Sequence, residues 1–407
     1  MFEHVEAFPG DPILSLNEDF QVDPRANKVN LSIGMYFDAH GNLPLMAAVR
    51  DAENALASEI KAHPYLPMSG LPSYRDTVQQ LVFGNACGAR TQRLIATLQT
   101  LGGSGALKVG ADFLRRIFPD AQVWISDPSW ENHRVVFERA GFTVNTYPYY
   151  SSTTGGLCFD EMLHALRAIP QRHILLLHAC CHNPTGVDLD RNQWREVILI
   201  IAKNKLLPFV DLAYQGFGVD LDDDAFAVRE LTAHGLSCLV ANSFSKNFSL
   251  YGERCGGLSV VCQSTNEASR VLGQLTGVVR ANYSNPPTYG AKIVHRVLCT
   301  PALRALWQSE LAAMCKRISA MRHLIYQRLR SYFADDKLSH YIRQRGMFTY
   351  TGLSAEQVNR LRIEHGVYLV RSGRMCIAGL NEQNVIVVAD AIANVLLDRK
   401  KSKSSQI

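Results

Sequence analysis

From about residue 95 to residue 262 the chain alternates short, nearly unbroken apolar runs with longer stretches of helical spacing. The apolar runs are QVWIS (122–126), HILLLHA (173–179), LLPFVD (206–211), SCLVANS (237–243) and GGLSVV (256–261). Runs of this length without polar alternation fit strands covered on both faces. Between them lie GALKVGADFLRRIF (105–118), NHRVVFERA (132–140), NQWREVILIIAKN (192–204) and DDAFAVRELTAH (223–234), whose apolar residues recur every three or four positions. That order predicts an α/β fold, a mostly parallel sheet with helices on both faces. GGLSVV begins only about a dozen residues after SCLVANS, so one antiparallel member is expected.

A second helical pattern, LRALWQSELAAMCKRISAMRHLIYQRLRSYF (303–333), is long enough to bridge two domains. Beyond it, MFTYTGL, a helix from Ala355 to about His365, GVYLV and a terminal helix predict a compact α+β unit. The first 30 or so residues hold too little apolar pattern to fold alone, and are expected to pack on that unit or on a second subunit. The division this gives is 1–43 as an arm and part of the small domain, 44–312 as the large domain, and 313–407 as the rest of the small one. A chain of 407 residues exceeds the usual single core, in agreement with two domains.

Composition narrows the function classes. The chain is 47% hydrophobic and 19% charged, an ordinary globular balance. Its net charge of +5 is small for its length, and the basic run RKKSKSS (399–405) reads as a solvated tail, so no nucleic-acid partner is expected. No apolar run approaches the roughly 18 residues of a membrane span. The opening MFEHVEAFPGDPILSL lacks a basic segment before an apolar one, so no secretory signal is expected. Ten cysteines without a C-x-x-C pair read as reduced thiols of a cytoplasmic protein.

Open α/β sheets bind ligands beyond the carboxyl ends of their strands. QVWIS is followed by Asp127-Pro-Ser-Trp130, and HILLLHA by CCHNPTG with Asn183. LLPFVD ends on Asp211 with Tyr214 close behind, and SCLVANS ends on Ser243 with Lys246 three residues on. An aromatic plate, an amide, a carboxylate, a phenol and a lysine are thus predicted along one edge. A lysine amine attacks carbonyl carbon when neutral, and nearby cations or desolvation favour that state. Arg254 offers a permanent charge that clamps phosphate as a fork. TLGGSGALK (100–108) runs glycines into a helix, whose free N–H groups and dipole face an anion. The pocket therefore suits a phosphorylated aldehyde. Asp211 would keep a pyridine nitrogen protonated, Tyr214 and Asn183 would bond its phenolic oxygen, and Trp130 would cover its face. The cofactor that fits is pyridoxal 5′-phosphate.

Three rival readings fail on spacing. Ser243-Phe-Ser-Lys246 fits S-x-x-K, but neither S-D-N nor K-T-G occurs in the chain. HACCHNPTG groups His and Cys without zinc-ligand spacing, so no metal is expected. GGSGALK places Lys108 where a dinucleotide fingerprint needs its third glycine.

SFSKNFSLYGER, HNPTG, DLAYQGF and RANYSNPP together resemble the class I aminotransferases, the aspartate and aromatic branch of the type I pyridoxal-phosphate fold. The resemblance runs from LNEDF near residue 16 to MCIAGL near 380. It implies a large domain with a mixed, mostly parallel sheet, a small α+β domain, and a homodimer with the site at the subunit boundary. Carried residue by residue, it makes Lys246 the lysine that bonds the cofactor and moves the proton. Asp211 becomes the ring-nitrogen partner, Tyr214 and Asn183 the ring-oxygen partners, and Trp130 the stacking residue. Gly103, Ser104, Ser243 and Arg254 form the phosphate cup, completed by Tyr65 of the partner subunit. Arg374 takes the substrate α-carboxylate, and Arg280 reaches across the dimer toward a side-chain carboxylate. His133 falls behind the tryptophan, His178 near the ring's aspartate, and Gly34 in a loop close to substrate. Arg371, beside the S-G-R of Arg374, departs from the family pattern and is expected to point into solvent.

Arg280 implies dicarboxylate substrates such as aspartate and 2-oxoglutarate. The entrance loop GMYFDAHGNLP is nevertheless apolar at Met35, Phe37 and Leu43. HPYLPMSG around Tyr65, and the segment with Ser104, also resemble the aromatic aminotransferases. The expectation is an amino group moved from tyrosine, phenylalanine, tryptophan as a third candidate, or aspartate, to 2-oxoglutarate by a ping-pong exchange. The alternatives are a mainly aspartate-directed aminotransferase or another enzyme of the type I fold, a lyase or decarboxylase.

Overall fold

The computed structural model describes residues 1–7, 10–59, 62, 64–334 and 338–404, with side chains through Leu397. The side chains of the basic run 399–405 lie outside the described residues. The chain divides into two compact units, one of residues 44–317 and one of residues 1–43 with 318–407.

The strands, in chain order, are β1 (Val29–Asn30), β2 (Ile95–Leu101), β3 (Val123–Asp127), β4 (Val144–Pro148), β5 (Tyr150–Ser151), β6 (Gly156–Leu157), β7 (Ile174–His178), β8 (Leu207–Leu212), β9 (Leu239–Ser243), β10 (Cys255–Val261), β11 (Phe348–Tyr350), β12 (Val367–Tyr368) and β13 (Arg374–Cys376). The larger unit is built on a seven-stranded sheet in the order β2-β10-β9-β8-β7-β3-β4. Strands β4, β3, β7, β8 and β9 are parallel, and β10 is the antiparallel member, paired with β9 on one side and β2 on the other. The five strands read from apolar runs are all present. Two more, β2 and β4, were not foreseen.

Burial explains the arrangement. Leu176, Phe209, Ala241 and Leu258 on neighbouring strands are at most 2% exposed. The helix Gly102–Ile117 covers this surface with Ala106, Val109, Phe113 and Leu114. It approaches closely because Gly110 has no side chain; a Cβ there would lie 2.5 Å from Phe209 Cζ. The helix Arg191–Asn204 starts on a capping box between Asp190 and Gln193, which satisfies N–H groups that the first turn leaves unpaired.

The register sets the functional edge. His178 pairs with Asp211, Leu212 with Asn242, Ser243 with Gly256, and Cys255 with Leu101. The carboxyl ends of β7, β8 and β9 and the exit from β2 into the helix at Gly102 therefore lie side by side.

In the smaller unit, β1 pairs in parallel with β12, and β11 pairs antiparallel with β13. The amino-terminal segment packs within this unit. The Phe20 ring meets Tyr368 edge-on, Tyr368 donates to Asp23 at 2.6 Å, and Arg25 donates to the carbonyls of Arg362 and Ile363. The helix Ala355–His365 opens on a Ser354–Gln357 capping box and closes on Gly366 at φ 68°, a left-handed stop that glycine adopts without strain. No helix among the described residues is long and apolar enough to cross a membrane.

Candidate active site

The turn after β9 carries Lys246, and its neighbours fix it. Trp307 Nε1 donates to the carbonyl of Asn247 at 2.7 Å, while Asn247 Nδ2 donates to the carbonyl of Gln215 at 3.1 Å. The second bond ties the turn after β9 to the turn after β8. Phe248 stacks on Trp307 with centroids 4.8 Å apart. Lys246 is half-buried, its Nζ 5.1 Å from the centroid of the Tyr214 ring. Tyr214 and Asn183 are both buried, with Asn183 Nδ2 3.5 Å from Tyr214 Oη.

Asp211, at the end of β8, is 7% exposed. Burial alone would raise its pKa; the hydrogen bond from His133 Nε2 at 2.9 Å, with nearby positive charge that includes Lys246, outweighs this and holds it below the ordinary carboxylate value. Ser129 Oγ lies 3.0 Å from the other nitrogen of His133. Trp130 caps the helix Glu131–Arg139 and meets His133 edge-on at 5.2 Å. The His178 ring lies tilted against His133 at 5.0 Å, and burial lowers its pKa to about 3, so it is neutral. Thus His133, rather than His178, makes the bond to the carboxylate.

Beside this group is a cup for an anion. Gly102 stands at φ +68°, and a Cβ on it would lie 2.6 Å from Arg254 Nη2. A Cβ on Gly103 would lie 3.2 Å from that of Ser243. Ser243 Oγ and Ser245 Oγ are 3.1 Å apart, and Arg254 Nη1 lies 3.4 Å from Ser245 Oγ. Gly103 and Ser104 sit in the first turn of the helix Gly102–Ile117, where N–H groups lack helical partners and the dipole favours negative charge. Ser245 was not singled out from the sequence. Its signal was the serine pair two residues apart in SFSK, which a turn can bring to one side.

The remaining residues lie elsewhere. Tyr65 is 91% exposed. Arg280, in the last turn of the helix Thr265–Asn282, is exposed and donates to Ser284 Oγ at 2.6 Å. In the smaller unit Arg374 is 1% exposed, donates through Nη2 to the carbonyl of Ser32 at 2.8 Å, and lies 4.5 Å over the Phe348 ring. Gly34 makes room for that ring, since a Cβ on it would lie 2.9 Å from Phe348 Cζ. Phe348, the ring against Arg374, was not singled out from the sequence, where the apolar MFTYTGL reads as a core strand. Arg371 is exposed.

Among the described residues, two groups of side chains are close enough to hold a metal, His133, His178 and Asp211, and Cys180, Cys181 and Asp224. The first is engaged by the His133–Asp211 bond. In the second the thiols are held neutral: Cys180 is raised by its hydrogen bond to Cys181 and by burial, and Cys181 is pushed up to about 12 by burial.

Residues 26–392 match the model of the family described as aminotransferase class I and II. The chain belongs to the class I and II aminotransferases. It is similar to a crystallised aromatic amino acid aminotransferase from Burkholderia cenocepacia at 67% identity, covering 97% of this chain and 99% of that one, with a TM-score of 0.94. The aromatic-amino-acid aminotransferase of Escherichia coli is 53% identical, over 97% of this chain and all of that one. The Burkholderia pseudomallei aromatic-amino-acid aminotransferase, solved covalently bound to pyridoxal phosphate, is 51% identical, over 97% of this chain and 99% of that one, with a TM-score of 0.95. The cofactor of this aminotransferase is pyridoxal 5′-phosphate, and the residues present suit it. The amine of Lys246, the ionised Asp211, the two groups at Tyr214 and Asn183, and a cup that any side chain on Gly102 would fill correspond to its aldehyde, ring nitrogen, ring oxygen and phosphate.

Proposed function

We propose that this aminotransferase moves the amino group of tyrosine or phenylalanine, and of aspartate, to 2-oxoglutarate, working as a cytoplasmic homodimer. The grouping of Lys246, Tyr214, Asn183 and Asp211 beside the anion cup carries the reading of the chemistry. Bound there, pyridoxal phosphate supplies a carbonyl for the amino group and a protonated ring that accepts the electron pair left when a proton leaves the substrate Cα. Lys246 Nζ would hold the cofactor covalently. Its amine would also be the base that takes the Cα proton and returns it. Asp211, kept ionised and oriented by His133, pairs with the ring N–H. Tyr214 and Asn183 bond the ring oxygen, and Trp130 covers the ring's face. The N–H groups at Gly103 and Ser104, the hydroxyls of Ser243 and Ser245, and Arg254 hold the phosphate, with Tyr65 of the partner subunit completing the cup.

Arg374 takes the α-carboxylate that every donor shares. Arg280 of the partner subunit takes the side-chain carboxylate of a dicarboxylate, which favours aspartate as a second donor. The half-buried Met35 and Phe37 and the exposed Leu43 give the entrance loop an apolar character. Burying about 100 Å² of aromatic ring there stabilises binding by about 2.5 kcal/mol. Half-reactions followed by cofactor absorbance test the reading. Specificity constants for tyrosine and phenylalanine are expected at or above that for aspartate, with leucine well below. An aspartate constant about a hundredfold above both aromatics would assign the enzyme to aspartate. Borohydride should fix the cofactor to the parent chain and not to Lys246→Ala, and sedimentation should find two chains per particle.

A further inference from the structure

His182 has no part in the chemistry above, yet both of its ring nitrogens are engaged. It is 1% exposed. Its Nε2 lies 2.9 Å from Ser126 Oγ at the end of β3, and its Nδ1 lies 2.8 Å from Thr185 Oγ1. The Thr185 hydroxyl also accepts from Val187 N–H at 3.1 Å. A neutral imidazole engages both hydroxyls, donating from one ring nitrogen and accepting at the other. Burial, with His178 and His133 adding to it, keeps His182 well below the ordinary histidine range, so this neutral form persists. One face stacks on Tyr149 at 4.0 Å and 14°, and His178 closes another side at 4.3 Å. Its backbone N–H and that of Cys181 both donate to the Asp188 carboxylate at 2.8 Å.

These contacts join two loops with separate tasks. Ser126 stands four residues before Trp130, and His182 and Thr185 flank Asn183. We propose that His182 is a positioning residue that pins the Asn183 loop to the Trp130 loop, and so sets the spacing between the amide at the cofactor's ring oxygen and the indole on its face. The proposal rests on the roles given to Asn183 and Trp130 under the proposed function. A rigid pin is needed because hydrogen bonds weaken steeply with distance and angle, and each loop leaves a different strand.

The test is the pH midpoint of the visible band of cofactor held by Lys246, measured on holoenzyme. An N–H donor at the ring oxygen favours its anionic form, so Asn183→Ala should raise the midpoint by about one pH unit. His182→Phe keeps the stack on Tyr149 and removes both hydrogen bonds. It should raise the midpoint by at least half as much, with KM for the amino donor changed more than kcat. His182→Gln, whose amide reaches the position of Nε2, should return most of the shift. Should His182→Phe fail to fold, Thr185→Val removes only the Nδ1 partner and takes its place. If Asn183→Ala moves the midpoint and His182→Phe or Thr185→Val leaves it unchanged, the pin is overturned alone. If Asn183→Ala itself leaves it unchanged, the role of Asn183 falls, and the pin with it.

Discussion

The two arginines proposed to take substrate carboxylates are set in opposite ways. Arg374 is buried, lies over Phe348, and donates to the carbonyl of Ser32 within its own unit. Arg280 is exposed and donates to the hydroxyl of Ser284, four residues on. Burying a guanidinium is costly unless its geometry is fixed and an anion meets it. That cost is acceptable only for a group every substrate presents, and the α-carboxylate is that group. The side chain varies among donors, and within one chain the second arginine is exposed, where holding or releasing a carboxylate changes little. On the proposed roles, α-carboxylate recognition would be built into each chain, while side-chain recognition would be completed by the partner subunit.

The largest expected effect breaks the built-in half. Arg374→Leu should lower kcat/KM for every donor by about a thousandfold, since a charge-assisted fork in a buried site contributes about 4 kcal/mol. Tyrosine and aspartate should lose nearly equally; a loss confined to aspartate would reverse the roles of the two arginines. Next, Arg280→Gln should reduce kcat/KM for aspartate by about a hundredfold and leave phenylalanine within about threefold, as expected for losing one partly solvated ion pair. Equal losses would remove its side-chain role.

The same contrast between buried and solvated charge predicts a pH effect. A buried arginine cannot shed its proton, but a buried histidine can. His178, with a pKa of about 3, and His182, well below its ordinary value, gain protons only on unfolding between pH 6 and pH 5, so acid destabilises the fold through both. Asp224 acts with the opposite sign. Burial raises it to about 6 against three backbone N–H donors, so the folded chain takes up that proton first and acid relieves the strain. Two groups against one leave a net loss of about 1.4 kcal/mol from pH 6 to pH 5, roughly tenfold in the folding equilibrium. Urea unfolding at the two pH values measures it, and a rise in stability would refute the sign.

The sheet was legible because β7, β8 and β9 are apolar on both faces, which only a covered strand tolerates. β2 escaped notice because Thr97, Gln99 and Thr100 interrupt its run, and their polar groups find partners distant in sequence or in the following turn, as in the 2.8 Å contact of Thr97 with Ser259 and the bond from Leu71 N–H to Gln99. β4 escaped because it is a short edge strand ending in Pro148. Lys246, Asp211 and Asn183 could be placed because strand ends converge by topology alone. Phe348 under Arg374, His133 at Asp211 and Ser126 at His182 could not. Each is a meeting of side chains far apart in sequence, decided by packing and not by any local pattern.

The smallest effect tests how rigid the built-in half is. Gly34 has an ordinary negative backbone angle, so an alanine there meets no torsional penalty, only the Phe348 ring at 2.9 Å. The ring is 2% exposed and its backbone carbonyl accepts from the buried Arg322 at 2.5 Å, so it cannot swing freely away. A displacement of a few tenths of an ångström passes to the guanidinium stacked on it. Such a contact is worth about 1 kcal/mol, and a partial loss of it predicts a KM about threefold higher for tyrosine and aspartate alike, with kcat nearly unchanged. Phe348→Leu, which removes the stack altogether, should raise KM several-fold further in the same donor-independent way. If Gly34→Ala instead altered aspartate alone, Gly34 would belong to side-chain recognition, and the separation between the two arginines would not hold.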